Sequence, residues 1–249
     1  MRIDVLLGEA QVVPADVADR VVVVIDVLRA ATTVAAALDA GARAVIPFET
    51  VDETASRARA YARGEVQLAG ERRMLKIDGF DLGNSPAEYT PESVEGRTLL
   101  YTTTNGTMAL AATHGARACF FAAFVNVAAT VSAVRTAVAE GGDVTILCAG
   151  HEHRVALEDV VCAGRLVRGI TAGREGVVRG DGARLAEMVE QPFHGGIASL
   201  VLEAGHAKSL IAAGFERDVE RCFTIDLYDR AVQYQHRQLQ LDPMTGSER

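Results

Sequence analysis

The sequence holds only four cysteines, Cys119, Cys148, Cys162 and Cys222, and none stands in a CxxC pair. That spacing argues against a zinc site and against a disulfide framework, and leaves buried, reduced thiols as the expectation. No apolar run approaches the roughly 20 residues that a membrane span needs, and residues 1–8 read as a short mixed strand rather than as the apolar core of a leader. A cytoplasmic protein with no membrane contact is expected. Basic residues are outnumbered, 25 against 33 acidic, for a formal charge of −8. Such a chain has no bulk attraction for nucleic acid or anionic lipid, although Arg72 and Arg73 could line a local basic pocket. Internal repeats and low-complexity segments do not stand out either.

What is present is an alternation of strands and helices. Hydrophobic residues make up 49%, which speaks against disorder. The organising stretch is VVVVIDVLRAATT at 21–33. Five apolar β-branched residues in a row suit a strand buried on both faces, and the alanine-rich run after Arg29 reads as helix to about residue 40. Further strands are expected over 2–8, 44–48, 66–69, 98–101, 118–122 and 144–148, with helices between most of them. This order predicts an α/β fold: a mainly parallel sheet flanked by helices in three layers. One domain over 1–249 is expected, or two α/β lobes that meet near residue 95. Beyond Gly173 the pattern weakens. Helices over 183–189, 197–203 and 206–213 and a last strand over 223–227 are expected, with residues 233–249 as an exposed tail.

Four predicted strands end in polar, reactive residues, and in a parallel sheet these ends fall on one edge, where ligands bind. Asp26, Glu71, Asp81, Glu158 and Asp159 are candidates for Mg²⁺, a hard cation that takes oxygen ligands. Competing structural readings stand beside them: Asp26 as a helix N-cap, Asp81 as a turn residue, and one of Glu158 and Asp159 as a first-turn acid complementing the helix dipole. Thr102-Thr103-Thr104-Asn105-Gly106-Thr107 sets hydroxyls, an amide and backbone N–H groups before a helix, where anions bind, but it lacks the spacing of a Walker A loop. Arg29 and Arg72 could each grip a phosphate or sulfonate with two parallel bonds, or be surface charges. Asn84-Ser85-Pro86 reads as an N-cap followed by a short helix. Two phosphatase patterns are incomplete. Leu28 replaces the second acid of a DxD nucleophile motif. Cys148 and Arg154 have C-x5-R spacing, but Glu152 between them would repel phosphate and thiolate alike. His151 and His153 read as loop residues or as a general acid.

VIDVLRAATT, GERR with IDGFDLGNSP, TTTNGT, CAG with LEDVVCAG, and HAKSLIAAGFERDVERC occur in this order over most of the chain. In these blocks the sequence resembles the Mg²⁺-dependent 2-phosphosulfolactate phosphatase family. The resemblance implies an α/β hydrolase that converts (R)-2-phospho-3-sulfolactate to 3-sulfolactate and phosphate, a coenzyme M biosynthesis-type step. On that reading Asp26, Arg29 and Asn105 are catalytic. Mg²⁺ is held by Asp26 and Asp159 with Glu71, and Asp81 and Glu158 are further candidates. Arg72, Thr32, Thr33, Asn84, Ser85, Thr103, Gly106 and Thr107 contact a small anionic phosphorylated substrate. A related phosphorylated 2-hydroxy acid is the alternative substrate. A non-catalytic anion-binding module is the competing class, and several acids beside an anion loop speak against it. A homodimer is the default assembly.

Overall fold

The computed structural model describes residues 1–8, 12–62, 64–243 and 245. In chain order the elements are β1 (Arg2–Leu6), α1 (Pro14–Val17), β2 (Val21–Ile25), α2 (Ala30–Asp39), β3 (Ala44–Pro47), α3 (Val51–Ala58), β4 (Val66–Arg72) and β5 (Leu75–Lys76). Then come α4 (Pro91–Val94), β6 (Thr98–Thr102), α5 (Gly106–Ala111), β7 (Ala118–Ala122), α6 (Val127–Ala137), β8 (Val144–Cys148) and α7 (Leu157–Thr171). The chain closes with β9 (Val178–Arg179), α8 (Asp181–Glu190), α9 (Gly205–Ala212), α10 (Glu216–Cys222), β10 (Val232–Gln235) and β11 (Gln238–Leu241). Short 3-10 turns occupy Pro86–Glu88, Phe124–Asn126, Gln191–Phe193 and Ala198–Leu202.

Every residue of β2 is buried, as an unbroken apolar run requires. It pairs in parallel with β7 and β8, so that Val23 lies opposite both Phe120 and Ile146. Helix α7 packs on β2 and β8, and α5 packs on β2. A strand with no exposed residue needs cover on both faces, which is the three-layer arrangement. Thr50 starts α3 as expected, its side chain accepting a bond from the Glu53 amide at 3.1 Å.

The sheet has eleven strands in the order β5-β4-β6-β3-β11-β10-β7-β2-β8-β1-β9. Eight strands form two parallel blocks, β4-β6-β3 and β7-β2-β8-β1-β9, and β5 lies antiparallel to β4 at one edge. Strand β6 follows residue 95 yet sits between β4 and β3, which precede it, so strands from either side of that position share one sheet.

The two blocks are joined by the hairpin β10–β11, antiparallel to β7 on one side and to β3 on the other. This corrects the expectation of an exposed tail over 233–249, of which residues 244 and 246–249 lie outside the described ones. Val232 and Leu239 are fully buried in the middle of the sheet. Their strands alternate with Gln233, Gln235, Gln238 and Gln240, and the glutamines disguise a period-two pattern. His236 and Arg237 turn the hairpin with φ of 51° and 61°, both positive as a two-residue type I′ connection demands. The expected strand over 223–227 is also absent. Helix α10 runs to Cys222, and the Asp226 and Tyr228 amides then bond to the Phe124 and Val125 carbonyls, so this segment is tied to a turn instead of a strand edge. The segment 197–203 forms a 3-10 turn rather than an α-helix, over Ala198–Leu202.

Candidate active site

The carboxyl ends of β2, β4, β6 and β8 face a cavity of about 380 Å³. It lies where the chain crosses between the two parallel blocks, the kind of crevice in which open α/β sheets hold ligands. Asp26, Leu28 and Arg29 come to it from β2, Glu71, Arg73 and Met74 from the end of β4, and Thr103, Thr104 and Asn105 from the end of β6. His151 and Glu152 follow β8, while Asn84 and the α9 residues His206, Ser209 and Leu210 complete the wall.

Asp26 is 4% exposed. Its Oδ1 accepts the Ala30 N–H at 3.0 Å, which starts α2. Its Oδ2 lies against Gly106, where an added Cβ would stand 2.6 Å from it. Capping therefore uses one oxygen and leaves the other to the site. Burial, reinforced by Glu71 and Glu158, pushes the Asp26 carboxyl up to about 6, while the Ala30 N–H and His206 pull the other way.

Glu158 and Asp159 open α7 and are both buried, but their surroundings differ. Asp159 accepts the Val27 N–H at 2.9 Å and the Gly150 N–H at 3.0 Å, which ties the ends of β2 and β8 together. Burial, then Glu158 and Asp26, hold its carboxyl well above the usual range against those two donors. Neither oxygen of Glu158 has a hydrogen-bond partner among the described residues. His206 Nδ1 lies 3.3 Å from Glu158 Oε1, and the His206 ring stacks on His151 with centroids 3.7 Å apart. Burial and the neighbouring His206 lower the pKa of His151.

Glu71 spends both oxygens on its own surroundings. Oε1 accepts the Thr104 N–H and hydroxyl, each at 2.9 Å, and Oε2 accepts the Met74 N–H at 2.8 Å. Arg29 is equally committed. Nη1 donates to Asp218 at 2.6 Å, Nη2 to the Met74 carbonyl at 2.7 Å, and the guanidinium lies 4.2 Å from the centroid of the Phe215 ring. The Leu28–Arg29 peptide is cis. Among the described residues no group of three or more His, Cys, Asp and Glu is arranged as a metal centre.

A model of the 2-phosphosulpholactate phosphatase family matches residues 8–237. The chain belongs to that family. It is thereby a phosphoric monoester hydrolase. A protein of Clostridium beijerinckii named probable 2-phosphosulfolactate phosphatase is 35% identical over 234 residues, 94% of this chain and 97% of its own. One of Thermotoga petrophila with the same name is 39% identical over 209 residues, 84% of this chain and 86% of its own.

For a member of this family, the structure sorts the residues expected from sequence. Asp26, Arg29, Glu71, Asn84, Thr103 and Asn105 line the cavity. Thr32, Thr33, Ser85, Gly106 and Thr107 brace it from behind. The Thr32 hydroxyl donates to the Val27 carbonyl, Thr33 to the Asn84 carbonyl, Ser85 to Asp218, and Thr107 to the Thr103 carbonyl. Arg72 is turned away, donating to the Glu71 and Glu49 carbonyls and to the Thr102 hydroxyl. Asp81 is exposed and accepts the Leu68 N–H at 2.8 Å, so it holds a turn. Cys148 is fully buried, and burial raises its thiol well above the usual value, which removes it as a nucleophile. Of the two arginines expected at a local basic pocket, Arg73 lines the cavity and Arg72 does not. Sequence reasoning missed His206 and Asp218, whose only signal was membership of the HAKSLIAAGFERDVERC block.

Proposed function

We propose that the chain hydrolyses (R)-2-phospho-3-sulfolactate to 3-sulfolactate and phosphate, with Mg²⁺ as cofactor. The observation that carries this reading is a pair of buried acids: Asp26 lines the cavity and caps α2 with Oδ1 alone, and Glu158, which faces His206 at 3.3 Å, has no hydrogen bond to either oxygen among the described residues. Buried carboxylate oxygens without partners are costly, and a divalent cation is the partner that removes the cost. Mg²⁺ commonly takes one or two carboxylates and keeps several waters, so this donor set fits it. Asp26 and Glu158 would hold the ion, not Asp26 and Asp159, because both Asp159 oxygens already accept backbone N–H groups. When bound, Mg²⁺ supplies Lewis-acid polarisation of the phosphoryl oxygen.

The remaining groups act on charge and protons. Asn105 Oδ1 accepts the Glu152 N–H at 3.3 Å, which leaves its amide NH₂ to donate to the phosphoryl group. The buried Thr103 hydroxyl has no partner among the described residues and can donate there too. First-turn amides lack intrahelical acceptors, so the Gly106 and Thr107 N–H groups, though behind the cavity wall, add positive potential at that end of the site. His206 turns Nδ1 to Glu158, and its other nitrogen can protonate the departing hydroxyl.

The test is phosphate release from phosphosulfolactate and a panel of phosphorylated 2-hydroxy acids, each with Mg²⁺ and with EDTA. Mg²⁺-dependent release from phosphosulfolactate is expected, with Glu158→Gln losing about 100-fold or more. Release that survives EDTA would refute the metal assignment. Turnover of another panel member alone would keep the chemistry and replace the substrate. A phosphoenzyme trapped in wild type and lost in Asp26→Asn would make Asp26 the nucleophile.

A further inference from the structure

Two arginines line the cavity, Arg29 and Arg73. Arg29 is 3% exposed and bound to Asp218 and the Met74 carbonyl. Arg73 is exposed, and among the described residues no hydrogen bond or ion pair engages its side chain. It stands at the turn between β4 and β5, where Arg73 and Met74 have φ of 51° and 70°. Both are positive as the two-residue connection of the antiparallel β4–β5 hairpin demands.

Two buried side chains also hold this turn. Glu71 accepts the Met74 N–H at 2.8 Å, and Arg29 donates to the Met74 carbonyl at 2.7 Å. Arg29 is itself anchored by Asp218 on α10 at 2.6 Å. Met74 is thus gripped at both backbone polar groups by the buried side chains of Glu71 and Arg29. Arg72 is pulled the other way, to Glu49 and Thr102. The result is one uncommitted guanidinium at the cavity rim, on a backbone that cannot swing freely. The rim also carries an acid, Glu152, which would repel an anionic substrate were no cation near.

We propose that Arg73 is the specificity-determining residue of this cavity, binding a second acid group on a carbon next to the phosphorylated one. A sulfonate or a carboxylate offers two oxygens in the plane that a guanidinium fork matches. The proposal rests on the phosphatase reading above, since it presumes that the phosphoryl group lies deeper, near Asp26 and Asn105. Arg29 and Glu71, on this account, are positioning residues for the turn.

The experiment compares wild type, Arg73→Ala and Arg73→Lys on three substrates: phosphosulfolactate, 2-phospholactate without the sulfonate, and phosphorylated 2-hydroxyethanesulfonate without the carboxylate. Arg73→Ala should raise KM for phosphosulfolactate by about 10- to 100-fold with kcat little changed. It should leave KM unchanged for whichever truncated substrate lacks the group that Arg73 binds, and so tells sulfonate from carboxylate. Arg73→Lys should recover part of the loss. All three residues occupy the same left-handed position, and circular dichroism checks the fold of each. Equal losses on all three substrates, or no loss on phosphosulfolactate, would overturn the proposal. Should wild type turn over none of them, the phosphatase reading fails first. Calorimetric titration with 3-sulfolactate then still reads the contact, and equal affinity in wild type and Arg73→Ala would overturn it.

Discussion

Replacing Asp26 by asparagine should stabilise the metal-free protein at alkaline pH and leave it unchanged in acid. Burial raises the Asp26 carboxyl from 3.8 to about 6 in the folded chain. A group whose folded pKa is raised favours folding below its unfolded value, and that contribution is lost as pH climbs through the folded value. The window therefore runs from about pH 4 to about pH 6. Two pKa units correspond to roughly 3 kcal/mol at the alkaline end. Asparagine is neutral throughout and keeps an oxygen to accept the Ala30 N–H. Removing the charge also relieves Asp159, which Asp26 holds high, so the coupling acts in the same direction. For a chain of this size 3 kcal/mol amounts to roughly 6–12 °C in Tm. The sequence has no tryptophan, so melting is best followed by circular dichroism, in EDTA, from pH 4 to pH 8. A wild-type deficit that grows across this range is expected. A difference that does not change with pH, or a variant less stable than wild type at pH 8, would refute the electrostatic account of Asp26.

Leu239→Ala removes a fully buried side chain from the hairpin that joins the two parallel blocks, and urea denaturation should show a loss of about 2–5 kcal/mol. An exposed tail would lose nothing measurable. Cys148→Ala should retain phosphatase activity within about threefold, because a buried thiol with a raised pKa supplies no thiolate. Loss of activity from a folded variant would reopen the cysteine route. Gly106→Ala places a Cβ 2.6 Å from Asp26 Oδ2 and 3.0 Å from the Ala30 Cβ. It should cut kcat by about tenfold or more by moving the carboxylate, with a smaller change in KM, as steady-state kinetics would show.

The apolar run of β2 and the acid at its end could be read directly from sequence, because burial on both faces leaves no polar alternation and the edge after a parallel strand follows from topology. The same holds for the TTTNGT loop and for the capping role of Asp26, which depend on neighbours a few residues away. Long-range pairing decided the rest. The segment 232–241 looks soluble by composition, yet its alternating Val232, Tyr234, Leu239 and Leu241 find cover only because β3 and β7 leave a gap for two strands. Glu158 and Asp159 are adjacent acids with equal claims in the sequence. The amides of Val27 and Gly150 consume one of them and leave the other without a hydrogen bond among the described residues, facing His206 at 3.3 Å. Arg29 looked free to grip a substrate until α10 brought Asp218 and Phe215 against it. Local order follows from residue type and spacing. Which charges stay available follows from hydrogen-bond partners that tertiary structure alone brings within 3 Å.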